Sequence, residues 1–250
     1  MHAGTNTYNV MELVSVIIPN FNHARFLSQR LESVYNQSYP HFEVIILDDS
    51  SSDDSRTIIE SYRDHPRTAH IVFNDTNSGS AFAQWKKGIA QAKGKFIWLA
   101  ESDDFCDLNF LETALSRLSE GFDLFFAKTI RVEEDGSIMT KNPYHWFLDI
   151  SPERWLSDFE NDAKAEVRDV LFKKCAINNA SAVVFRNHQR IFRYLDELDG
   201  MFYAGDWLFW IQYLLESDRM CYSIKTTNYF RTHPGVTRLK TPERRNSEIL

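Results

Sequence analysis

Two acidic groups stand out by their spacing: Asp48-Asp49, and Glu101-Ser102-Asp103-Asp104. Each closes a short apolar run, residues 42–47 in the first case and 95–99 in the second. Carboxylates crowded at the end of a strand repel one another unless a cation or hydrogen-bond donors meet them. Hard oxygen ligands suit Mg2+ or Mn2+, ions that typically share such sites with substrate phosphates. Either group alone also fits a solvated turn leading into a helix N-cap, which uses the same residue types. Two such groups at neighbouring strand ends favour the cation reading.

The elements that must position these residues follow from periodicity. The β-branched run at 13–18 is a strand stopped by Pro19, and 24–35 carries Phe26, Leu27, Leu31 and Val34 at helical spacing. Further strands are expected at 42–47, 70–73, 95–99 and 122–130. Helices are expected at 54–63, 82–92 and 108–118, the first entered through the turn and cap residues 50–53. Strands alternating with helices indicate βαβ units and a mostly parallel sheet. In such sheets ligands bind outside the carboxyl ends of the strands, where both acidic groups fall. No Gly-rich GxGxxG follows the first strand, which weakens a dinucleotide-oxidoreductase reading. Beyond residue 130 the pattern loosens, with an aromatic-rich loop at 144–155, a strand at 182–185 and an amphipathic helix at 206–215.

Composition bounds the rest. Hydrophobic residues at 43% and charged residues at 25% over 250 residues describe a globular chain with a sizeable core, needing no disulfide or metal to fold. Cys106, Cys175 and Cys221 are widely spaced and odd in number, giving no disulfide framework and no CxxC zinc site, so a reducing compartment is expected. A net charge of −7 offers no basic field for nucleic acid. The apolar runs fall far short of the ~20 residues that span a bilayer, and residues 1–12 lack the features of a signal peptide. A cytoplasmic protein is the expectation, with association at a membrane face left open. The chain stops at Leu250 soon after a charged stretch, as a domain of a longer protein would.

The segments Val14-Ser-Val-Ile-Ile-Pro-Asn-Phe-Asn22, Gln37-Ser-Tyr-Pro40 and Phe42-Glu-Val-Ile-Ile-Leu-Asp-Asp-Ser50 resemble the opening of family 2 glycosyltransferases, which have the GT-A fold. Asn77-Ser-Gly79, Gln84-Trp85, Gly88, Ala92-Lys-Gly94 and Ile97-Trp-Leu-Ala-Glu-Ser-Asp-Asp104 continue the resemblance in order. Asn178-Asn-Ala-Ser-Ala-Val-Val-Phe-Arg186, Gly205-Asp-Trp-Leu-Phe-Trp210 and Tyr229-Phe-Arg-Thr-His-Pro234 carry it on to about residue 238. It implies an α/β fold, the Rossmann-like GT-A sheet flanked by helices. One domain would span the chain, with a nucleotide-sugar half at about 13–130 and an acceptor half at about 131–240.

The resemblance also implies roles. Pro19 and Phe21 would lie beside the nucleotide base, and Asp49 would hydrogen-bond its edge. The DxD-like motif falls on Asp103, nearer the ribose, and Asp104, on the metal; Glu101 stands where many members have an aspartate. Asp206 falls at the position of the catalytic base, the carboxylate that removes the acceptor hydroxyl proton during inverting sugar transfer. Gly205 would let the backbone turn tightly before it. Members of the family also have a histidine at the position of His233, able to complete the metal shell or meet the diphosphate. Asn179, Ser181 and Trp207 fall at acceptor-side positions.

The residues read by themselves keep bland alternatives. Asp206 is a fitting N-cap, His233 a surface histidine before a proline, and Asn179 and Ser181 turn formers before a strand. Arg231 and Arg238 are phosphate partners or solvated arginines. Trp98 and Trp210 read as core, Trp146 and Trp155 as core or acceptor groove, Lys86 and Lys87 as solvated. The expectation is an inverting glycosyltransferase dependent on Mn2+ or Mg2+. It would move a sugar from a nucleotide-diphosphate donor, UDP-sugar favoured, to a hydroxyl of a glycan or lipid-linked acceptor in cell-surface polysaccharide synthesis. The rivals are a nucleotidyltransferase making the activated sugar, short of a Gly-rich phosphate loop, and a non-catalytic domain binding glycans or partners.

Overall fold

A computed structural model describes residues 11–140, 150–151 and 153–235. Trp146 and Arg238 lie outside the described residues. The first part of the chain alternates as its periodicity requires: β1 (Val14–Asn20), α1 (Ala24–Tyr35), β2 (Phe42–Asp48), α2 (Ser55–Glu60), β3 (Thr68–Phe73), α3 (Ala81–Ile89) and β4 (Phe96–Leu99). A two-residue strand β5 (Phe105–Cys106), α4 (Phe110–Leu118) and β6 (Leu124–Val132) follow. Then come β7 (Phe159–Asp162), α5 (Ala163–Glu166), a π-helical turn (Val167–Leu171), β8 (Val183–Arg186), α6 (Ile191–Asp196), α7 (Gly205–Leu215) and β9 (Arg219–Arg231).

One sheet joins them in the order β3-β2-β1-β4-β8-β6-β9-β5, with β7 also paired to β9. β1, β2, β3 and β4 are mutually parallel. β8 runs against both β4 and β6, so β6 points the same way as β4, and β9 is parallel to β6. The carboxyl ends of β1, β2, β4, β6 and β9 therefore share one edge of the sheet. The amino end of the reversed strand β8 arrives at that same edge. This arrangement decides the site.

Strand alternation sends Val16 and Ile18 to one face and Ile17 to the other, so each face builds its own core. On the first face Leu27, Leu31 and Val34 of α1 meet Phe110, Ala114 and Leu118 of α4. On the second, Trp85 and Ile89 of α3 meet Tyr194 of α6 and Phe209, Trp210 and Tyr213 of α7. α3 approaches closely because Gly88 has no side chain; a Cβ there would stand 2.4 Å from Ile17 Cγ2. Trp98 and Trp210 are fully buried, as read from their spacing. The sequence patterns missed β5, β7 and the π turn, which are too short to carry a period. No pattern gave the length of β9 either.

The cap of α2 differs from expectation. The Asp53 carboxylate accepts from Ser55 N (3.0 Å) and also from Ala24 N at the start of α1 (2.8 Å), tying two helix entrances to one side chain.

Candidate functional site

The first acidic group is a knot of hydrogen bonds. Asp48 accepts from Asn20 Nδ2 (2.8 Å), Ser51 Oγ (2.6 Å) and Ser51 N (3.0 Å). Asp49 is buried and accepts from Asn74 Nδ2 (2.6 Å), Asn77 Nδ2 (3.2 Å), Ser78 N (3.0 Å), Ser78 Oγ (2.7 Å) and Gln84 Nε2 (2.9 Å). A carboxylate offers about four lone-pair sites, so these donors already fill it. Asp49 thereby fastens the whole β3–α3 connection to the end of β2. The contact expected between Asp49 and a base edge requires one of these donors to yield. Beside it, Asn22 and Ser50 adopt left-handed φ values of 55° and 63°, conformations that cost energy outside glycine and cluster at working sites. Pro19 is buried in β1, and Phe21 leaves its ring 44% exposed at the carboxyl edge.

The second group is built differently. Glu101 Oε1 accepts from Trp85 Nε1 at 2.7 Å. Burial, followed by the charges of Asp103 and Asp104, pushes its carboxyl up to about 8, so it is mostly protonated at neutral pH. Asp104 is 1% exposed; its oxygens take Asn179 Nδ2 (3.0 Å) and Arg231 N (2.9 Å), with Arg30 Nη2 at 4.0 Å. Burial and the Asp103 charge raise it. Asp103 is part-exposed, its Oδ2 3.1 Å from His233 Nε2. Burial pushes Asp103 up, but the hydrogen bond from His233 and the charges of His23 and His233 outweigh it and hold the carboxyl low.

The structure orients the two aspartates differently from the expectation. Asp104, expected on the metal, is turned inward to protein donors, and Asp103, expected toward the ribose, faces the histidine. Sequence spacing cannot separate neighbours of the same type; the turn after β4 does. His233 is 3% exposed and not a surface histidine. It follows β9, whose carboxyl end lies at the same edge as that of β4, and its ring packs on Phe26 at 4.7 Å. The imidazoles of His23 and His233 and the Asp103 carboxylate have ligand atoms within 4.8 Å of one another. A carboxylate held ionised beside two imidazoles is a donor set that fits a divalent cation. His23 lay in no motif with a chemical reading, so no local signal marked it.

Asn179 and Ser181, expected on the acceptor side, are buried, at 3% and 0% exposed. Because β8 is reversed, its approach lies behind the acidic loop. There Ser181 Oγ receives Glu101 N (3.0 Å), Ser181 O receives Trp98 Nε1 (2.8 Å), and Asn179 donates to Asp104. Arg231 is likewise no free phosphate partner. It is 2% exposed, donating through Nε to Asp103 O (2.8 Å) and through Nη1 to Glu134 O (2.6 Å). Arg30, another residue the patterns did not single out, is fully buried and gives Nε to Glu101 O at 2.8 Å.

Asp206 sits in the first turn of α7, while the cap residue is Ala204. Its Oδ1 accepts from Trp207 N at 2.7 Å, yet burial raises its carboxyl to about 6. Gly205 serves close approach, not a turn: a Cβ would fall 2.4 Å from the Phe82 ring. Phe82 meets Trp85 edge-on at 5.1 Å, and Trp85 reaches Glu101, so α3 links Asp206 to the acidic loop. Trp207 anchors the helix through Nε1 to Leu171 O at 2.8 Å. Trp155 packs edge-on against Tyr222 at 5.3 Å. Burial, then the Asp206 charge, raises the Cys175 thiol, in keeping with a structural cysteine.

The sequence pattern of glycosyl transferase family 2 matches residues 15–183, and the chain belongs to that family. A Bacillus subtilis glycosyltransferase named for teichuronic acid biosynthesis, TuaG, is 34% identical over 134 residues, 53% of either chain. The GalNAc(5)-diNAcBac-PP-undecaprenol beta-1,3-glucosyltransferase of Campylobacter jejuni is 27% identical over 128 residues, 51% of this chain and 41% of that one. The chain thus spans about half or less of the length of such relatives. Staphylococcus aureus TarS 1-349 in complex with UDP-GlcNAc superposes with a TM-score of 0.67 at 21% identity, over 91% of this chain and 60% of that one. The mannosyltransferase PcManGT of Pyrobaculum calidifontis, in complex with GDP-Man and Mn2+, gives 0.63 at 16% identity over 94% and 61%. These likenesses establish the GT-A fold. No helix among the described residues is long and apolar enough to cross a membrane.

Proposed function

We propose that this chain transfers a sugar, with inversion, from a nucleotide-diphosphate donor to a hydroxyl of a glycan or lipid-linked acceptor in cell-surface polysaccharide synthesis. The observation that carries the proposal is the part-exposed Asp103 carboxylate paired with His233 at the carboxyl edge of the sheet. Phe21, exposed at the end of β1, would stack on the base. A UDP-sugar is the favoured donor, in line with the UDP-GlcNAc held by TarS. Asp103 and His233 would hold Mn2+ or Mg2+. Once bound, that cation supplies positive charge to the leaving diphosphate.

Asp206 would take the acceptor proton. Its raised carboxyl, near 6, makes it a better proton acceptor than an ordinary aspartate while leaving it ionised at neutral pH. The backbone N–H of Trp207 fixes the orientation of the carboxylate. Asp206→Asn removes the base but keeps size and polarity. Transfer should fall by roughly 10²–10⁴-fold while calorimetric donor binding stays within about twofold. Parallel loss of donor binding would place Asp206 in the donor site instead.

The same residue gives a pH signature. In the wild type, activity declines below about pH 6 as Asp206 protonates. The folded-state carboxyl lies above its unfolded value, so its ionisation disfavours the fold, and stability drops as pH rises from about 4 through 6. At pH 7.5, therefore, Asp206→Asn should melt no lower than the wild type. A lower melting temperature would argue for a structural carboxylate.

A further inference from the structure

Three features of His23 go beyond the two-residue cation site. It precedes α1, immediately after the left-handed Asn22. This turns its ring onto the acidic loop, where Nδ1 lies 2.9 Å from Ser102 Oγ. The ring also stands edge-on to His233, centroids 5.3 Å apart and planes at 90°. With Nδ1–H given to Ser102, the lone pair rests on Nε2. That is the usual arrangement of a metal-binding histidine, whose second nitrogen is held by a hydrogen-bonding partner. Ser102 is itself 1% exposed, so the partner is fixed.

Neighbouring ligands at right angles on an ion with bonds of about 2.1 Å lie roughly 3.0 Å apart, and opposite ligands about 4.2 Å. Asp103 Oδ2 and His233 Nε2, 3.1 Å apart, match a neighbouring pair. The three ligand atoms lie within 4.8 Å of one another, so a bound ion would draw them inward.

We propose that His23 is a third protein ligand of the cation, completing a His23–Asp103–His233 triad that binds first-row transition ions in preference to Mg2+, before any nucleotide arrives. The inference rests on the cation reading given above and adds a ligand to it. Two imidazoles and one carboxylate suit ions that accept nitrogen, whereas Mg2+ is held chiefly by oxygen and water. Three protein ligands leave the remaining positions for donor oxygens. Loading asks a change of His233: its Nδ1 now accepts from Gly235 N at 3.1 Å and faces Arg25 Nη2 at 3.4 Å. Turning the Nε2 lone pair to the ion requires the other tautomer and so the opening of those contacts.

The rival explanation is packing, since the His23 ring also touches Phe26, centroids 5.9 Å apart. His23→Phe keeps an aromatic ring and removes the ligand; His23→Gln keeps a polar partner for Ser102. Mn2+ would be titrated into each protein by electron paramagnetic resonance, with and without UDP, while Mg2+ competes and melting is followed in parallel. Expected are Mn2+ binding by the wild type without UDP and ¹⁴N couplings from two imidazoles. Both variants should bind Mn2+ at least tenfold more weakly, show one imidazole and lose discrimination against Mg2+, with melting nearly unchanged. Equal Mn2+ affinity and an unchanged ¹⁴N pattern in both variants would overturn the inference. So would wild-type binding that appears only with UDP and does not respond to either variant, which leaves the two-residue site standing. No Mn2+ binding under any condition would sink the cation reading itself.

Discussion

The two acidic groups end β2 and β4, the strands on either side of β1, use the same residue types, and do opposite things. At the end of β2, Asp48 and Asp49 meet neutral donors on every side: asparagines, serines, a glutamine and backbone N–H groups. At the end of β4, the carboxyls meet cations, histidines and one another. The first group has spent its acceptors on holding a loop. The second sorts its charge, with Glu101 mostly protonated, Asp104 set against Arg30, and Asp103 ionised toward the histidines. Acidic density alone therefore does not mark a cation site; what matters is how many neutral donors each carboxylate already has.

Four substitutions test that contrast. Asp104→Ala leaves the buried Arg30 without its anion, and its Nη1 already lacks a hydrogen-bond partner. The expected loss is about 3–5 kcal/mol in chemical denaturation. A loss below about 1 kcal/mol would mean that water reaches Arg30. Asp103→Ala should do the reverse. Mn2+-dependent nucleotide binding should weaken about 100-fold by calorimetry, while melting shifts by only about 3 °C. If Asp104→Ala removed cation binding and Asp103→Ala did not, the assignment made from the structure would be inverted.

Asp49→Ala should cost about 2 kcal/mol, since it strands the donors of Asn74, Asn77 and Ser78. Amide exchange should quicken across 74–84 with the acidic loop after β4 unaffected. Exchange spreading to that loop would show that the two groups are coupled. The smallest effect belongs to Trp85→Phe, which removes a neutral side-chain donor from Glu101. Stability should fall by about 1 kcal/mol. Because that bond lowers the Glu101 carboxyl, its titration should move further upward in the variant, read by difference infrared spectroscopy. A downward move would mean that the indole acts by excluding water.

Much of the fold was legible because its signals are local. Val16 to Ile18 and Val44 to Leu47 are strands by residue type, and α1 declares itself through the spacing of Phe26, Leu27, Leu31 and Val34. The acidic groups could be placed at the ligand-binding edge from those elements alone. Asp206 was legible by resemblance and by its place at a helix start, though both readings of its neighbours changed: Ala204 is the cap, and Gly205 makes room for Phe82. The short elements between 153 and 171 escaped because a four-residue strand or a single π turn has no measurable period.

The sequence by itself determined the alternating α/β order, the strand ends that carry carboxylates, and the family, since each is written in a contiguous run of residues. Tertiary structure decided which carboxylate faces His233. Asp103 and His233 are 130 residues apart, and His23 and Ser102 are 79 apart. They meet because β1, β4 and β9 point the same way in one sheet. Asn179 and Ser181 come to pack on the acidic loop for the same reason: β8 is reversed between β4 and β6, which brings its amino end to that edge. Strand direction is set by the packing of the whole sheet, and no local run of residues encodes it.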